Sequence, residues 1–288
     1  MRTFLFIIAF PLVVFSQTSF EAGKQAFEDG DFKQAIPLLT RVLKQEPSHK
    51  TARDRLGQSY ARLGLWEKSA EVYKTLVEEY PEHAEYHFRY GGALGLVAKE
   101  GGSFKALSLL GEVKFHLKKA IELNAKHIEA RWALLQMYLE LPGIVGGSES
   151  TSRDYASQLE KISPVDGALA FGYIERDLEN YDKAEVHYKK AVELGQSVTA
   201  YKELAELYER LKNEADYFQS LETGIRKLNS VALASLYAES ALRLNRNKQQ
   251  ALDLLNSLNP AEFNTASVTR LGRAEELKKL SQLKSQLN

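Results

Sequence analysis

The fold is decided by the stretch LGQSYARLGLWEKSAEVYKTLVEEYP, residues 56–81. Small and apolar residues recur in it at intervals of three and four, which is the spacing of one face of an α-helix. Gly64 divides the stretch into two such segments, and Pro81 ends the second because proline cannot continue a helix. We therefore expect two helices joined at Gly64. Gly57 lies inside the first helix, which predicts a close approach of helix backbones there.

The same arrangement returns at a fixed period along the chain. Gly23, Gly57 and Gly91 are each 34 residues apart. Further pairs keep this step: Gly30 with Gly64, Phe32 with Trp66, Ala35 with Ser69, Leu39 with Tyr73, Val42 with Leu76, and Pro47 with Pro81. A period of this length indicates a stack of helix pairs, each of which buries its apolar face against its neighbours.

These residues resemble the tetratricopeptide repeat, a family of helix-pair repeats. The matching positions are Leu56, Gly57, Tyr60, Gly64, Trp66, Tyr73 and Pro81. The resemblance implies an all-α fold, namely a right-handed α-solenoid of stacked antiparallel helix pairs. It also implies that the first helices of successive repeats line a concave groove in which a protein or peptide docks.

The repeats are expected to occupy residues 17–231, in about six copies of which the third and fourth carry insertions. The second helix of the third copy comes ten residues later than the period predicts, so its insertion lies between Gly95 and Gly111. The fourth copy contains the Gly-rich loop of residues 142–148. A turn that reorients two helices is the favoured interpretation of this loop, and an anion-binding nest of backbone N–H groups is the alternative.

Residues 232–288 are expected to form a degenerate helix pair and a last helix. Leucines form an apolar stripe along that last helix, at positions Leu271, Leu277, Leu280, Leu283 and Leu287. A capping helix that covers the exposed end of the stack is the favoured interpretation, since solenoids need capped ends for solubility. A dimerisation helix is the alternative.

The N-terminus has the layout of a secretory signal peptide over residues 1–16. Arg2 precedes an apolar run from Phe4 to Phe15, and this run is too short to cross a bilayer. Cleavage would leave Gln17 as the first residue of a periplasmic or secreted protein, with no stable membrane span. Cleavage one residue later stays open.

Composition narrows the classes of partner. The sequence contains 38 Lys and Arg residues and 38 Asp and Glu residues, so no net positive field is present to attract nucleic acid. Without cysteines, an exported chain must rely on apolar packing for its stability.

We find no motif for nucleophilic catalysis or nucleotide binding, and we expect no enzyme activity, cofactor or metal. His83 and His87 lie four residues apart and are the one pair with a metal-ligand spacing. No third ligand accompanies them, so they are interpreted as ordinary residues at the start of a helix. The remaining histidines, including His116, are scattered along the sequence.

The family resemblance implies that twelve positions on the first helices face the groove. They are Lys24, Asp54, Gln58, Arg62, Phe88, Trp132, Gln136, Tyr173, Arg176, Lys202, Glu206 and Arg210. Aromatic and arginine side chains are frequent in recognition surfaces. For the aromatic positions, core packing between helices is an equally good interpretation.

The function predicted from these observations is a non-catalytic scaffold or adaptor that binds a protein or peptide. The alternative is an accessory small-molecule binding component whose pocket is roofed by the insertions at residues 95–111 and 142–148.

Overall fold

The computed structural model describes residues 10–259 and 270–288, with side chains from residue 19 onward in the first range and from residue 271 onward in the second. These residues form 15 α-helices and one 3₁₀ turn, with no β-strand among them. The chain divides into two compact units. Unit 1 comprises Met1–Ala125 with Thr269–Leu271, and unit 2 comprises Lys126–Val268 with Gly272–Asn288.

Unit 1 contains three helix pairs in which each helix contacts the next. The helices are α1 Phe10–Asp29, α2 Phe32–Gln45, α3 Lys50–Arg62, α4 Trp66–Glu79, α5 Ala84–Glu100 and α6 Gly102–Leu123. The expected signal peptide lies partly outside the described residues, because the structure does not describe residues 1–9.

Unit 2 contains four helix pairs and the C-terminal helix. The helices are α7 Ile128–Glu140, α8 Glu149–Ile162, α9 Pro164–Asp177, α10 Tyr181–Gly195, α11 Val198–Arg210, α12 Glu214–Leu228, α13 Val231–Leu244, α14 Lys248–Ser257 and α15 Arg270–Leu287, and the 3₁₀ turn is Gly143–Val145. The first helices contact one another in sequence, α7 with α9, α9 with α11 and α11 with α13. Each unit is thus an all-α stack of helix pairs, as the periodicity predicts.

The pair α3–α4 has the turn and the packing that its sequence indicates. Gly64 takes a φ of 71°, and the N–H of Leu65 donates to the carbonyl of Tyr60, which ends α3. A Cβ added at Gly57 would lie 2.8 Å from the ring of Tyr73. The close approach at Gly57 is therefore to a buried tyrosine ring and not, as expected from the sequence, to another backbone.

The pair α5–α6 accommodates the ten additional residues as helix. Helix α5 has 17 residues where α3 has 13, and α6 has 22 where α4 has 14. Only Gly101 separates α5 from α6, whereas residues 63–65 separate α3 from α4. The insertion thus lengthens both helices of the pair and forms no separate loop.

Helix α15 buries part of its leucine stripe in the core of unit 2. Leu280 and Leu283 are buried there, and the ammonium of Lys279 lies 2.7 Å from the carboxylate of Glu239 on α13. Leu271 and Leu277 remain exposed. Helix α15 therefore covers part of α13, which is the contact that a capping helix makes.

In the part of the chain that the structure describes, none of the helices combines the length and the apolar character needed to cross a membrane.

Candidate functional site

The structure places all twelve predicted groove residues on the first helices of the pairs. Lys24, Asp54, Gln58, Arg62 and Phe88 lie in unit 1 on α1, α3 and α5, and Trp132, Gln136, Tyr173, Arg176, Lys202, Glu206 and Arg210 lie in unit 2 on α7, α9 and α11. The structure joins some of these side chains into clusters and leaves others apart.

In unit 1, Asp54 is the centre of a polar cluster. The hydroxyl of Tyr73 donates to Asp54 Oδ1 over 2.8 Å, and the amide of Gln58 donates to Oδ2 over 3.2 Å. Arg89 donates to the Tyr73 hydroxyl over 3.2 Å and to Glu85 over 2.7 Å. Burial raises the pKa of Tyr73, so its hydroxyl stays protonated and can donate. Asp54 is therefore held by its own neighbours.

The other predicted residues of unit 1 do not join this cluster. Lys24 lies 3.4 Å from Glu21 on its own helix. The guanidinium of Arg62 lies 5.8 Å from the ring centre of Phe32. Phe88 is half-buried on α5. Within the predicted set of unit 1, a hydrogen bond joins Asp54 and Gln58.

In unit 2, Trp132, Tyr173 and Arg176 form an aromatic and guanidinium cluster across α7 and α9. The rings of Trp132 and Tyr173 are 6.3 Å apart and nearly perpendicular. The guanidinium of Arg176 lies 5.1 Å from the ring centre of Tyr173. All three side chains are half-buried, so each packs on one side and keeps another side open to solvent. We call Trp132, Tyr173 and Arg176 the α7–α9 cluster.

Three carboxylates hold the α7–α9 cluster in place. The indole N–H of Trp132 donates to Asp166 over 2.9 Å, and the hydroxyl of Tyr173 donates to Glu140 over 2.6 Å. Arg176 donates to Glu203 on α11 over 2.5 Å. Burial and the hydrogen bond to Glu140 raise the pKa of Tyr173, so the donor is protonated at neutral pH. The geometry of the cluster is thus fixed before any partner arrives.

The remaining predicted residues of unit 2 are exposed or nearly so. Lys202 and Glu206 are neighbours on α11 at 3.4 Å, and Gln136 and Arg210 are exposed on α7 and α11. Of these four residues, Glu206 lies close enough to Arg176 to help raise its pKa.

Sequence reasoning did not find the carboxylates that orient the cluster. Trp132 and Asp166 are 34 residues apart, and Glu140 and Tyr173 are 33 apart. These separations are close to the repeat period, so equivalent positions on successive first helices are in contact. The signal that would have found them is a search for hydrogen-bonding pairs at that spacing.

His83 and His87, the two histidines four residues apart, make separate contacts at the start of α5. His87 lies against His116, with their Nδ1 atoms 2.8 Å apart, whereas the ring of His83 is stacked on Tyr86. His87 Nε2 is 2.9 Å from the Pro81 carbonyl and donates to it, because a carbonyl oxygen only accepts. In the neutral pair, His116 Nδ1 therefore donates to His87 Nδ1. The sequence did not indicate this contact, because the two histidines are 29 residues apart.

Burial, with a smaller effect of neighbouring His87, lowers the pKa of His116 to about 4. The His116 ring is consequently neutral near pH 7, and its contact with His87 joins α5 to α6. No group of three or more potential metal-ligating side chains occurs among the residues that the structure describes.

The Gly-rich loop uses its backbone N–H groups internally. Val145 and Gly147 donate to the Pro142 carbonyl, Gly146 donates to Gly143, and Ser148 donates to Tyr138. A nest needs successive N–H groups that are available to an anion. These four are engaged, so the loop is a turn between α7 and α8, and Ser148 begins α8 by accepting from Thr151.

Two open grooves lie at the end of unit 2, away from both insertions in the sequence. One is lined by residues of α13 and α15, including Glu239 and Leu283, and the other by residues of α12, α13 and α14, including Phe218 and Tyr237. Neither groove involves residues 95–111 or 142–148, where the small-molecule alternative placed its pocket.

Two stretches of the sequence match the tetratricopeptide repeat, residues 26–88 and residues 167–195. A tetratricopeptide repeat protein from Parabacteroides merdae ATCC 43184 is similar in structure with a TM-score of 0.55 and 15% identity, over 94% of this chain and 98% of that chain. A MamA RS-1 ArsTM double mutant has a TM-score of 0.50 and 14% identity, over 62% of this chain and 93% of that chain. At these identities the similarity concerns the fold alone. No curated protein matches the sequence.

Proposed function

The chain is a tetratricopeptide repeat protein, and from this premise we propose that it is a non-catalytic scaffold or adaptor that binds a protein or peptide on the first helices of unit 2. Proteins of this repeat family bind proteins or peptides and are generally non-catalytic, so the fold suggests a protein-interaction scaffold. We propose that this chain binds its partner at this surface and that it catalyses no reaction.

The α7–α9 cluster is the observation that carries the proposal. Tryptophan, tyrosine and arginine are the residues that most often dominate the energy of protein interfaces. Here they are half-exposed, adjacent and held by hydrogen bonds to Asp166, Glu140 and Glu203. A partner that binds them does not have to order three flexible side chains, which lowers the entropy cost of binding.

A cross-linking experiment tests this surface. A photoreactive phenylalanine analogue at exposed Gln136, on α7, should cross-link the partner in cells. The same analogue at Val186, which is 66% exposed on the second helix α10, is the matched control and should cross-link less. Trp132→Ala combined with Arg176→Ala should remove most of the product at position 136. Equal products at both positions, or a product insensitive to the double substitution, would contradict the proposal.

We propose in addition that the protein acts in the periplasm or outside the cell, on the basis of the signal-like residues 1–16. N-terminal sequencing of the protein from its own cells should begin at Gln17, and a protein that begins at Met1 would contradict this location.

A further inference from the structure

Helix α6 carries an exposed apolar strip in unit 1. Phe104 is 88% exposed, Phe115 is 59% exposed and Leu107 is 52% exposed. Together with Gly111 and Lys118 they lie at steps of three and four residues, so they share one face of the helix. We call these five residues the α6 strip. Large apolar side chains clustered on one exposed face indicate a contact surface.

Gly111 lies at the centre of the strip and has no role in the packing of the chain itself. A Cβ added there would meet no atom within 4 Å. Glycine weakens a helix interior relative to alanine, and at Gly57 and Gly172 that loss is explained by a tyrosine ring pressed against the glycine. At Gly111 the corresponding neighbour is missing among the described residues. A second helix that crosses closely at this point would supply it.

The α6 strip is symmetric about Gly111. Leu107 and Phe115 lie four residues to either side, and Phe104 and Lys118 lie seven residues to either side. When two copies of such a helix cross antiparallel at Gly111, Leu107 faces Phe115 of the second copy and Phe104 faces its Lys118. A two-fold interface requires this kind of self-complementarity. We propose that two copies of this chain associate through the α6 strip, with the crossing point at Gly111.

Charge and area are consistent with a second copy as the occupant. In the proposed dimer, Lys118 of one copy meets the ring of Phe104 of the second copy. An ammonium over an aromatic ring is an attractive pair. The net formal charge of the chain is zero, so no large overall charge opposes the association of two copies. The exposed parts of Phe104, Leu107 and Phe115 amount to roughly 400 Å², taking about 200 Å² for an aromatic side chain. That is about half of the roughly 800 Å² that each partner buries in a specific interface.

Sedimentation equilibrium of the purified chain tests the association. We expect a species of twice the mass of the single chain at micromolar concentration. Gly111→Leu should raise the dissociation constant at least tenfold, because the added side chain blocks the crossing. It should not lower the melting temperature of the helices, since the position is open and leucine favours helix. Val186→Glu is the control on an equally exposed apolar residue outside the strip and should leave the dimer intact.

A cysteine introduced at the crossing point tests the geometry, because the chain contains no other cysteine. On a two-fold axis, Gly111→Cys faces its own copy, at the distance that a disulfide needs. Oxidation should give a covalent dimer within minutes, whereas Val186→Cys should give little. A monomer at all concentrations, a dimer unaffected by Gly111→Leu, or equal cross-linking at positions 111 and 186 would each overturn the proposal.

Discussion

A glycine on a first helix contacts a tyrosine on the second helix of its pair in each unit, and the two contacts differ at the tyrosine hydroxyl. Tyr73 lies under Gly57 in unit 1, and Tyr188 lies under Gly172 in unit 2, with both rings almost fully buried. The Tyr73 hydroxyl donates to Asp54 and accepts from Arg89. The Tyr188 hydroxyl is buried and lies near Arg176 and Glu203, but it forms no hydrogen bond of good geometry with the described residues. The repeat therefore determines where the tyrosine ring lies, whereas the neighbouring residues determine how its hydroxyl is hydrogen-bonded.

Removal of either tyrosine ring should give the largest loss of unfolding free energy, and the loss should be similar in the two units. Tyr73→Ala and Tyr188→Ala should each lower the free energy of unfolding by about 3–5 kcal/mol, because a large buried side chain is lost and a cavity remains. Urea unfolding followed by circular dichroism measures this loss, with exposed Gln136→Ala as the control. A loss below about 1 kcal/mol in one unit would mean that the two rings are not equivalent.

Adding a methyl group at each glycine should affect the two glycine–tyrosine contacts to different extents. A Cβ at Gly172 would lie 2.5 Å from the Tyr188 ring, and a Cβ at Gly57 would lie 2.8 Å from the Tyr73 ring. Gly172→Ala should therefore lower the unfolding free energy by about 2 kcal/mol, and Gly57→Ala by less. Gly92→Ala, where the added Cβ meets nothing within 4 Å, should instead raise stability, by up to about 1 kcal/mol. The reverse order at positions 57 and 172 would contradict the packing described.

Removal of the two tyrosine hydroxyls should change the unfolding free energy in opposite directions in the two units. Tyr73→Phe should lower the unfolding free energy by about 1 kcal/mol, since Asp54 and Arg89 lose a hydrogen-bonding partner. Tyr188→Phe should be neutral or stabilising, because a buried hydroxyl without a hydrogen bond is removed. Urea midpoints of the two variants give the comparison directly. Equal losses would show that the Tyr188 hydroxyl also has a partner in solution.

A fall in pH should lower the stability of the α5–α6 pair. The pKa of His116 is about 4 in the fold and 6.5 as the ordinary value, so the unfolded chain binds the proton more readily. The contribution is fully present above pH 6.5 and is lost as the pH falls towards 4. His87 and Glu112 face the ring, and their effects on its pKa oppose each other. Between pH 7 and pH 5 we expect a loss of about 1 kcal/mol.

Hydrogen-exchange protection factors of the α5–α6 amides, corrected for the intrinsic exchange rate at each pH, measure this loss, and His116→Gln, which removes the titrating group, should flatten their pH dependence. His187 in unit 2 also has a lowered pKa, mainly through burial, and contributes with the same sign. Protection factors in α5–α6 that do not change with pH in the parent protein would contradict the role of His116.

The sequence was sufficient to predict the helix pairs, the turn at Gly64 and the helices on which the candidate residues lie, because these follow from periodicity and from the backbone preferences of Gly and Pro. It did not reveal that Asp166 orients Trp132 or that His116 meets His87. Such contacts depend on how neighbouring helices cross and on helix length, which a single sequence does not specify. The form of the insertion was missed for the same reason, since ten extra residues fit a loop as well as two longer helices.

The lengthening of α5 and α6 has a consequence for how this architecture diversifies. Four extra residues in α5 and eight in α6 are about one and two helical turns, so the added segments stay in phase with the rest of each helix. A hairpin that changes length in whole turns keeps its base unaltered while its tip gains new surface. Phe104 and Leu107 lie in the added turns. Relatives of this chain are therefore expected to vary at this tip in steps of whole turns, acquiring or losing adhesive surface without a change in the stack that carries it.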